Sequence, residues 1–180
     1  MNNDLRQELL SMQGEDERLM RELMEAGELR QEGYHPRLKQ LHENNIARLK
    51  EIIVEYGWPG KSLVGLEGAK AAWIIAQHGT QDQEFMKRSL LLLKEAVAEG
   101  EAKGWCLAYL QDRMLTMTGK PQIYGTQHDF DGNGIAHPLP IAEPDKVDML
   151  REELGMGPLE QATKRIQEAY QPMIDNGSDG

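Results

Sequence analysis

The sequence predicts a mainly α-helical fold, a single-domain bundle of about six or seven helices with one β-hairpin or extended loop near residues 122–141. Three observations lead to this prediction. Apolar residues recur at intervals of three and four over most of the chain, residues typical of helix ends separate these stretches, and the spacing changes after Gly119. A length of 180 residues suits one ordinary domain. We therefore expect one domain over residues 1–175 and a disordered tail at 176–180.

Two amphipathic helices are predicted in the first 60 residues. The apolar stripe of the first helix consists of Leu5, Leu9, Met12, Leu19, Met20, Leu23 and Met24. Gly14 is a potential break in this helix, because glycine weakens helix interiors. Pro36 suits the first position of the second helix, which extends to about Tyr56, and the glycines and proline of residues 57–60 then end it.

The next three helices follow in close succession. The third helix, from about Leu66 to His78, is apolar on nearly all sides, which is typical of a helix in the middle of a domain. Thr80 and Gln83 have the spacing of a capping box and predict a fourth helix that extends to about Glu99. A fifth helix is predicted from about Lys103 to Thr118.

The segment after the fifth helix differs in pattern from the rest of the chain. Apolar residues on both sides of the turn at residues 131–134 predict a β-hairpin or an extended loop. The segment from Asp129 to Asn133 also matches the start of a calcium-binding loop. A tight turn is favoured, because Pro140 stands where such a loop places a bidentate glutamate. Pro144 and Pro158 are each placed to open a short terminal helix.

The composition excludes several classes of protein. The chain has 20 Lys and Arg against 30 Asp and Glu, a formal net charge of −10, which disfavours binding to nucleic acids. Its single cysteine excludes an internal disulfide and a cysteine-based zinc cluster. No apolar run is long enough for a membrane helix, and the first residues do not form a secretory signal. We expect a cytoplasmic protein with a small-molecule ligand, and its oligomeric state stays open.

Polar side chains interrupt the apolar faces of two helices. His42 and Asn45 share a face of the second helix with Leu38, Ile46, Leu49, Ile52, Ile53 and Tyr56. A buried polar group without a partner costs about 1 to 3 kcal/mol, so these two either form a satisfied structural pair or line a wet pocket. His78 ends the third helix, where the macrodipole favours a positive charge. It is either a residue of the helix end or an acid–base group.

The fifth helix and the segment after it carry a second set of polar residues. Trp105, Tyr109 and Asp112 recur on one side of the helix and resemble a ligand-binding wall. Arg113 either binds an anionic group of a substrate or forms an ion pair within the protein. The segment from Tyr124 to Gln127 combines a phenol, a hydroxyl and an amide, as functional loops do, or it is simply a hairpin strand.

Several sequence blocks in a fixed order resemble an uncharacterised, mostly bacterial family of domains of unknown function. These blocks are YHP (Tyr34–Pro36), GWPGKSLVG (Gly57–Gly65), GAKAAWIIAQH (Gly68–His78), LAYLQDR (Leu107–Arg113), GKPQIYGTQ (Gly119–Gln127) and PIAEPDKVDMLREELGMGPL (Pro140–Leu159). The resemblance covers nearly the whole chain. It implies a predominantly helical domain whose signature blocks contain His78, Asp112, Arg113, Tyr124 and Gln127. It implies no particular reaction.

The leading functional hypothesis is a hydrolase or group transferase that acts on a small polar or anionic molecule. In this hypothesis His78 is the general acid or base, and Asp112 orients His78 or the substrate. Tyr124 and Gln127 donate hydrogen bonds to developing negative charge. The residues expected to bind the substrate are Arg113, Trp73, Tyr109, His42 and Asn45. All these groups are predicted to share one solvent-accessible site.

Three alternatives remain open from the sequence. They are a non-catalytic module, an interaction partner in a toxin or defence system, for which the net charge of −10 is the one hint, and a metal site. In the first alternative, the protein is a non-catalytic module. Such a module binds a ligand or a protein, or its polar signature residues simply stabilise the helical fold. The sequence requires no metal or other cofactor. A metal site of two histidines and one carboxylate, formed by His42, His78 and Asp112, is a weaker interpretation.

Overall fold

The computed structural model describes residues 1–30 and 33–175. Within these residues the chain forms seven α-helices and one two-stranded antiparallel sheet, which confirms the predicted mainly α-helical fold with a small hairpin. Internal contacts divide the chain into two compact units, Met1–Ala102 and Lys103–Gly180. The single domain over residues 1–175 stays a prediction, and the predicted tail at 176–180 lies outside the described residues. No described helix combines the length and the apolar character that crossing a membrane requires.

The first unit contains four helices. They are α1 (Asn3–Glu25), α2 (Pro36–Tyr56), α3 (Lys61–Gln77) and α4 (Gln83–Ala98). Helix α3 packs against the other three helices. Its four alanines and Ile75 are buried in the core of this unit, together with apolar residues of α1, α2 and α4. The helix that is apolar on nearly all sides therefore has the central position that its sequence predicts.

The predicted break in α1 and the predicted N-cap of α4 are wrong. Helix α1 continues through Gly14 without a break, because burial of Leu9 and Leu23 on either side of the glycine offsets its weak helix propensity. The N-cap of α4 is Asp82, not Thr80. The Asp82 carboxylate accepts the backbone N–H of Phe85 at 2.9 Å, so the short acidic side chain next to the helix start takes the capping position.

The buried face of α2 matches its predicted pattern. Its buried residues are Leu38, His42, Asn45, Ile46, Leu49, Ile52 and Ile53. Tyr56 differs from the prediction, since it is the last residue of the helix and is 43% exposed. Helix α3 begins at Lys61, before the predicted start at Leu66, because Gly65 with φ of 72° joins an extra first turn to the main helix.

The second unit combines three helices with the hairpin. They are α5 (Gly104–Met117), β1 (His128–Phe130), β2 (Ala136–Pro138), α6 (Val147–Glu153) and α7 (Leu159–Asp175). Strands β1 and β2 pair antiparallel, with His128 opposite Pro138. In the connecting turn, Asp131 Oδ1 accepts the backbone N–H groups of Asn133 and Ile135, each at 2.9 Å. The acidic residue thus closes a tight turn, as the favoured interpretation expects.

Candidate functional site

A buried carboxylate stands at the centre of the polar groups of the first unit. Asp16 lies on α1 and is 4% exposed. Leu9 and Leu23, which lie seven residues before and after it, are fully buried. Because seven residues are close to two helical turns, Asp16 points to the same side as these leucines and enters the core.

Asp16 contacts two histidines with its two carboxylate oxygens. Oδ1 lies 2.9 Å from Nε2 of His42 on α2. Oδ2 lies 2.5 Å from Nδ1 of His78, the residue that caps the C-terminus of α3. The two imidazole rings face each other with their centroids 4.4 Å apart and a tilt of 31°. Three helices therefore each bring one residue to a shared cluster, which we name the Asp16 cluster (Asp16, His42 and His78).

The two ring nitrogens of His42 both have partners. Nε2 contacts Asp16, and Nδ1 contacts the hydroxyl of Tyr34 in a short hydrogen bond. A neutral imidazole satisfies this arrangement when its Nε2–H donates to Asp16 and its Nδ1 accepts from the Tyr34 hydroxyl. Tyr34 and His42 thereby fix the orientation of one Asp16 oxygen.

His78 differs from the other two members of the cluster in its exposure. Its side chain is 29% exposed, whereas the side chains of Asp16 and His42 are each 6% exposed. Nδ1 of His78 is buried against Asp16, but its N–H is not directed well enough at the carboxylate to form a hydrogen bond. His78 therefore contacts both the buried Asp16 carboxylate and solvent. Its Nδ1 lies within ion-pair distance of Asp16 but forms no directed hydrogen bond among the described residues.

The Asp16 carboxyl stays ionised. Burial by itself raises the pKa of Asp16, but the contacts of its carboxylate with the His42 and His78 rings outweigh burial and hold the pKa far below its ordinary value of 3.8. The Asp16 carboxylate consequently carries a negative charge in the core at neutral pH.

A second polar cluster lies within the second unit and is built on Asp112. This residue of α5 is fully buried. Its Oδ1 accepts the backbone N–H of Ile123 at 2.7 Å, and Tyr124 N–H lies 3.1 Å from both oxygens. Oδ2 also accepts the backbone N–H and the hydroxyl of Thr126, each at 3.0 Å. The carboxylate thus holds the segment from residue 123 to residue 126 in place.

Two further buried side chains fix the same segment. The Gln122 amide donates to the carbonyl of Gln127 at 2.9 Å and accepts the N–H of Gln127 at 2.8 Å. The guanidinium of Arg151, which is 2% exposed, donates to the carbonyls of Tyr124 at 2.6 Å and of Gly157 at 2.7 Å. The polar residues of this part of the chain therefore satisfy backbone groups that no regular secondary structure pairs.

The side chains of Tyr124, Gln127 and His128 are half-buried. Burial raises the pKa of the Tyr124 phenol, and the negative charges of Asp112 and Glu153 raise it further. Gln127 donates its amide to the Thr126 hydroxyl at 3.0 Å. Burial lowers the pKa of His128, whose Nε2 lies 2.8 Å from the Thr163 hydroxyl. At neutral pH both the phenol and the imidazole of this segment are therefore uncharged.

A comparison with models of protein families identifies the family of the chain. The model of a family of unknown function, DUF6624, matches residues 3–174 of the chain. The chain belongs to the DUF6624 family. No curated protein and no solved structure matches it. Membership of DUF6624 agrees with the resemblance seen in the sequence blocks and supplies no activity.

The residues predicted to form the site of this DUF6624 protein lie in both units. The first unit contains His42, Asn45, Trp73 and His78, and the second contains Tyr109, Asp112, Arg113, Tyr124 and Gln127. The structure brings His42 and His78 together, and it brings the Asp112 carboxylate to the backbone of Tyr124. Asn45 is buried one turn after His42. One site shared by both groups stays a prediction.

The remaining predicted residues are half-buried. Trp73 lies on α3, and Arg113 and Tyr109 lie on α5. The ring of Tyr109 packs edge to face against Trp105, with centroids 6.4 Å apart, as their spacing of four residues on α5 predicts. Their roles in substrate binding stay predictions.

Sequence reasoning missed Asp16 and Tyr34. The acid that joins His42 and His78 is Asp16. The sequence instead suggests Asp112 as the carboxylate of a metal site with these histidines. A signal for Asp16 exists, since the residue interrupts the spacing of Leu9 and Leu23 on α1. It was hidden because Asp16 stands between Glu15 and Glu17 in an acidic run that resembles a solvated helix face.

Proposed function

We propose that this DUF6624 protein is an enzyme, a hydrolase or group transferase for a small polar or anionic molecule, with His78 as its acid–base residue. The observation that carries the proposal is the position of His78. Its Nδ1 lies 2.5 Å from the buried Asp16 carboxylate, while the ring is 29% exposed. A substrate or water molecule can therefore reach an imidazole that is backed by a fixed negative charge.

The chemistry follows from this arrangement. The Nε2 atom of His78 accepts a proton from an attacking water or hydroxyl and returns it to the leaving group. The imidazolium formed in between is stabilised by the Asp16 carboxylate, which is shielded from solvent. A positively charged His78 also attracts an anionic substrate group, which supports the proposed substrate class.

His42 and Tyr34 are positioning residues in this proposal. They do not need to touch the substrate, because His42 binds Oδ1 of Asp16 and leaves Oδ2 to His78. The Tyr34 hydroxyl in turn fixes the His42 ring through Nδ1. This chain of contacts holds the Asp16 carboxylate in one orientation, so that it can support His78 as the aspartate of a catalytic triad supports its histidine.

The alternative, a non-catalytic binding module with a structural polar signature, is favoured by an observation in the second unit. The Asp112 carboxylate accepts hydrogen bonds from Ile123, Tyr124 and Thr126, so its acceptor capacity is used within the fold. We therefore propose Asp112 as a positioning residue for the Tyr124–Gln127 segment, in place of the catalytic role predicted from sequence. Direct substrate contacts of Tyr124 and Gln127 stay predictions.

Replacing His78 tests the proposed function. The full chain is incubated with phosphate esters, carboxylate esters, amides and glycosides, and product formation is followed by mass spectrometry. For a substrate turned over by the wild type, His78→Gln is expected to lower kcat by about 10²- to 10⁴-fold, because it removes the acid–base group.

The matched control is His137→Gln, which replaces a histidine that is 58% exposed on β2. This variant is expected to keep wild-type turnover. Turnover that survives His78→Gln at the wild-type rate would contradict the proposal. Binding of a panel compound without any turnover, unchanged in His78→Gln, would favour the non-catalytic alternative.

A further inference from the structure

The Asp16 cluster contains the donor atoms of a transition-metal site. One oxygen of Asp16, one ring nitrogen of His42 and one of His78 all lie within 4.8 Å of one another. Two imidazoles and one carboxylate suit Zn²⁺ and similar divalent ions, whereas Mg²⁺ and Ca²⁺ prefer sites made of oxygen atoms. We propose that the Asp16 cluster binds one Zn²⁺-like ion through Asp16, Nε2 of His42 and Nδ1 of His78.

The distances within the cluster are compatible with such an ion. Ligand atoms around a tetrahedral zinc ion are about 3.4 Å apart, given bonds of about 2.0 to 2.2 Å. Here Oδ1 of Asp16 lies 2.9 Å from Nε2 of His42, and Oδ2 lies 2.5 Å from Nδ1 of His78. Each of these two carboxylate–imidazole pairs needs to separate by less than about 1 Å, and the ligand atoms of the three residues already lie within 4.8 Å of one another.

The hydrogen bonds around the cluster also fit a metal site. Nδ1 of His78 is buried and has no directed hydrogen-bond partner among the described residues. The group beside it is the Asp16 carboxylate, a ligand of the same ion, so no hydrogen bond to a residue outside the cluster has to be broken for Nδ1 to ligate a cation. Nδ1 of His42 lies against the Tyr34 hydroxyl. When Nε2 of His42 ligates the ion, its Nδ1–H donates to the Tyr34 oxygen, which is the outer partner that metal-binding histidines ordinarily have.

Zn²⁺ binding at the Asp16 cluster is expected to depend on pH, and the bound ion is expected to be partly shielded from solvent. Zn²⁺ takes the place of the protons on Nε2 of His42 and Nδ1 of His78, so binding releases protons and weakens as the pH falls. Asp16 and His42 are buried and His78 is partly exposed, so the ion is shielded on one side. Three protein ligands leave one coordination position for a water molecule.

The metal site uses the residues of the proposed reaction centre but does not rest on the proposed function. An ion bound to Asp16 and to Nδ1 of His78 removes the carboxylate that supports the His78 imidazolium. The metal-bound and acid–base forms of the cluster therefore exclude each other. Zn²⁺ is expected to suppress a reaction that uses His78 as its base.

Calorimetric titration tests the proposal on the full chain without an affinity tag, after treatment with a chelator and dialysis. ZnCl₂ alone is expected to bind the wild type at one equivalent, and MgCl₂ under the same conditions is expected to give no such binding. Loss of an outer partner alone costs about 10- to 100-fold in metal affinity, so His78→Gln is expected to weaken Zn²⁺ binding by at least about 100-fold. His137→Gln, which changes a histidine of the second unit, is expected to bind like the wild type.

A second measurement covers the case in which His78→Gln does not fold. Histidine ring resonances of the ¹⁵N-labelled wild type are followed by NMR during the ZnCl₂ titration. Those of His42 and His78 are expected to shift together, while those of His137 stay unchanged. Absence of one-equivalent binding, equal affinity in His78→Gln, or unchanged His42 and His78 resonances would overturn the proposal. The calorimetric and NMR titrations measure Zn²⁺ binding only. A negative result in them would contradict the metal site without bearing on the proposed enzymatic activity.

Discussion

Replacing Asp16 by alanine is expected to lower the free energy of unfolding by about 3 kcal/mol or more. The substitution removes the acceptor of the buried His42 Nε2–H, and a buried unsatisfied donor alone costs about 1 to 3 kcal/mol. It also removes the only charge that compensates a proton on His78 within the cluster and leaves a small cavity on α1. Urea unfolding followed by circular dichroism measures the change.

This destabilisation is expected to depend on pH. The folded-state pKa of Asp16 lies below its ordinary value of 3.8, so its ionised form stabilises the fold above that pH. The contribution is lost as the pH falls from 3.8 toward the lower pKa of the folded state. The difference in unfolding free energy between the wild type and Asp16→Ala is therefore expected to shrink below about pH 4.

The control for Asp16 is its neighbour Glu15, which is exposed on the same helix. Glu15→Ala is expected to change the free energy of unfolding by less than about 0.5 kcal/mol. Equal effects of the two substitutions would show that Asp16 is solvated in the folded protein and does not bind the histidines.

Replacing Asp112 by asparagine is also expected to lower the free energy of unfolding by about 3 kcal/mol or more. The Asp112 carboxylate accepts N–H groups on both oxygens, from Ile123 on Oδ1 and from Thr126 on Oδ2. Asparagine keeps one acceptor and directs an amide N–H₂ group at the backbone donors of the other side. Each hydrogen bond to a charged group contributes about 1.5 to 3 kcal/mol, so losing those on one oxygen accounts for the effect.

Chemical denaturation of Asp112→Asn is compared with that of Asp145→Asn, which changes an exposed aspartate of the same unit. The control is expected to stay within about 0.5 kcal/mol of the wild type. A loss below about 1 kcal/mol for Asp112→Asn would mean that the segment from residue 123 to residue 126 does not depend on the carboxylate.

Periodicity predicts the helices and their buried faces because apolar spacing and burial have the same cause. The face of α2 that contains His42 and Asn45 is an example, since each residue of its apolar spacing except Tyr56 is buried. The predicted N-cap of α4 is wrong because Thr80 and Asp82 are both good N-cap residues. Which of the two caps the helix depends on where the chain leaves α3.

Periodicity does not predict the hydrogen-bond partners of the buried polar residues. The spacing on α5 predicts a role for Asp112, but its partners are backbone N–H groups, which all residue types except proline carry, so no sequence pattern marks them. Asp16 was overlooked because its neighbours in sequence are acidic. Its contact with His42 joins residues 26 positions apart, and the packing of α1 against α2 decides it.

A double-mutant cycle between Asp16 and His78 tests the central claim most directly. The free energy of unfolding is measured for the wild type, Asp16→Ala, His78→Ala and the double variant at one pH near 6. If the carboxylate and the imidazole interact as described, the two effects are not additive, and their coupling is about 1 kcal/mol or more. Additivity within about 0.3 kcal/mol would contradict the existence of the Asp16 cluster.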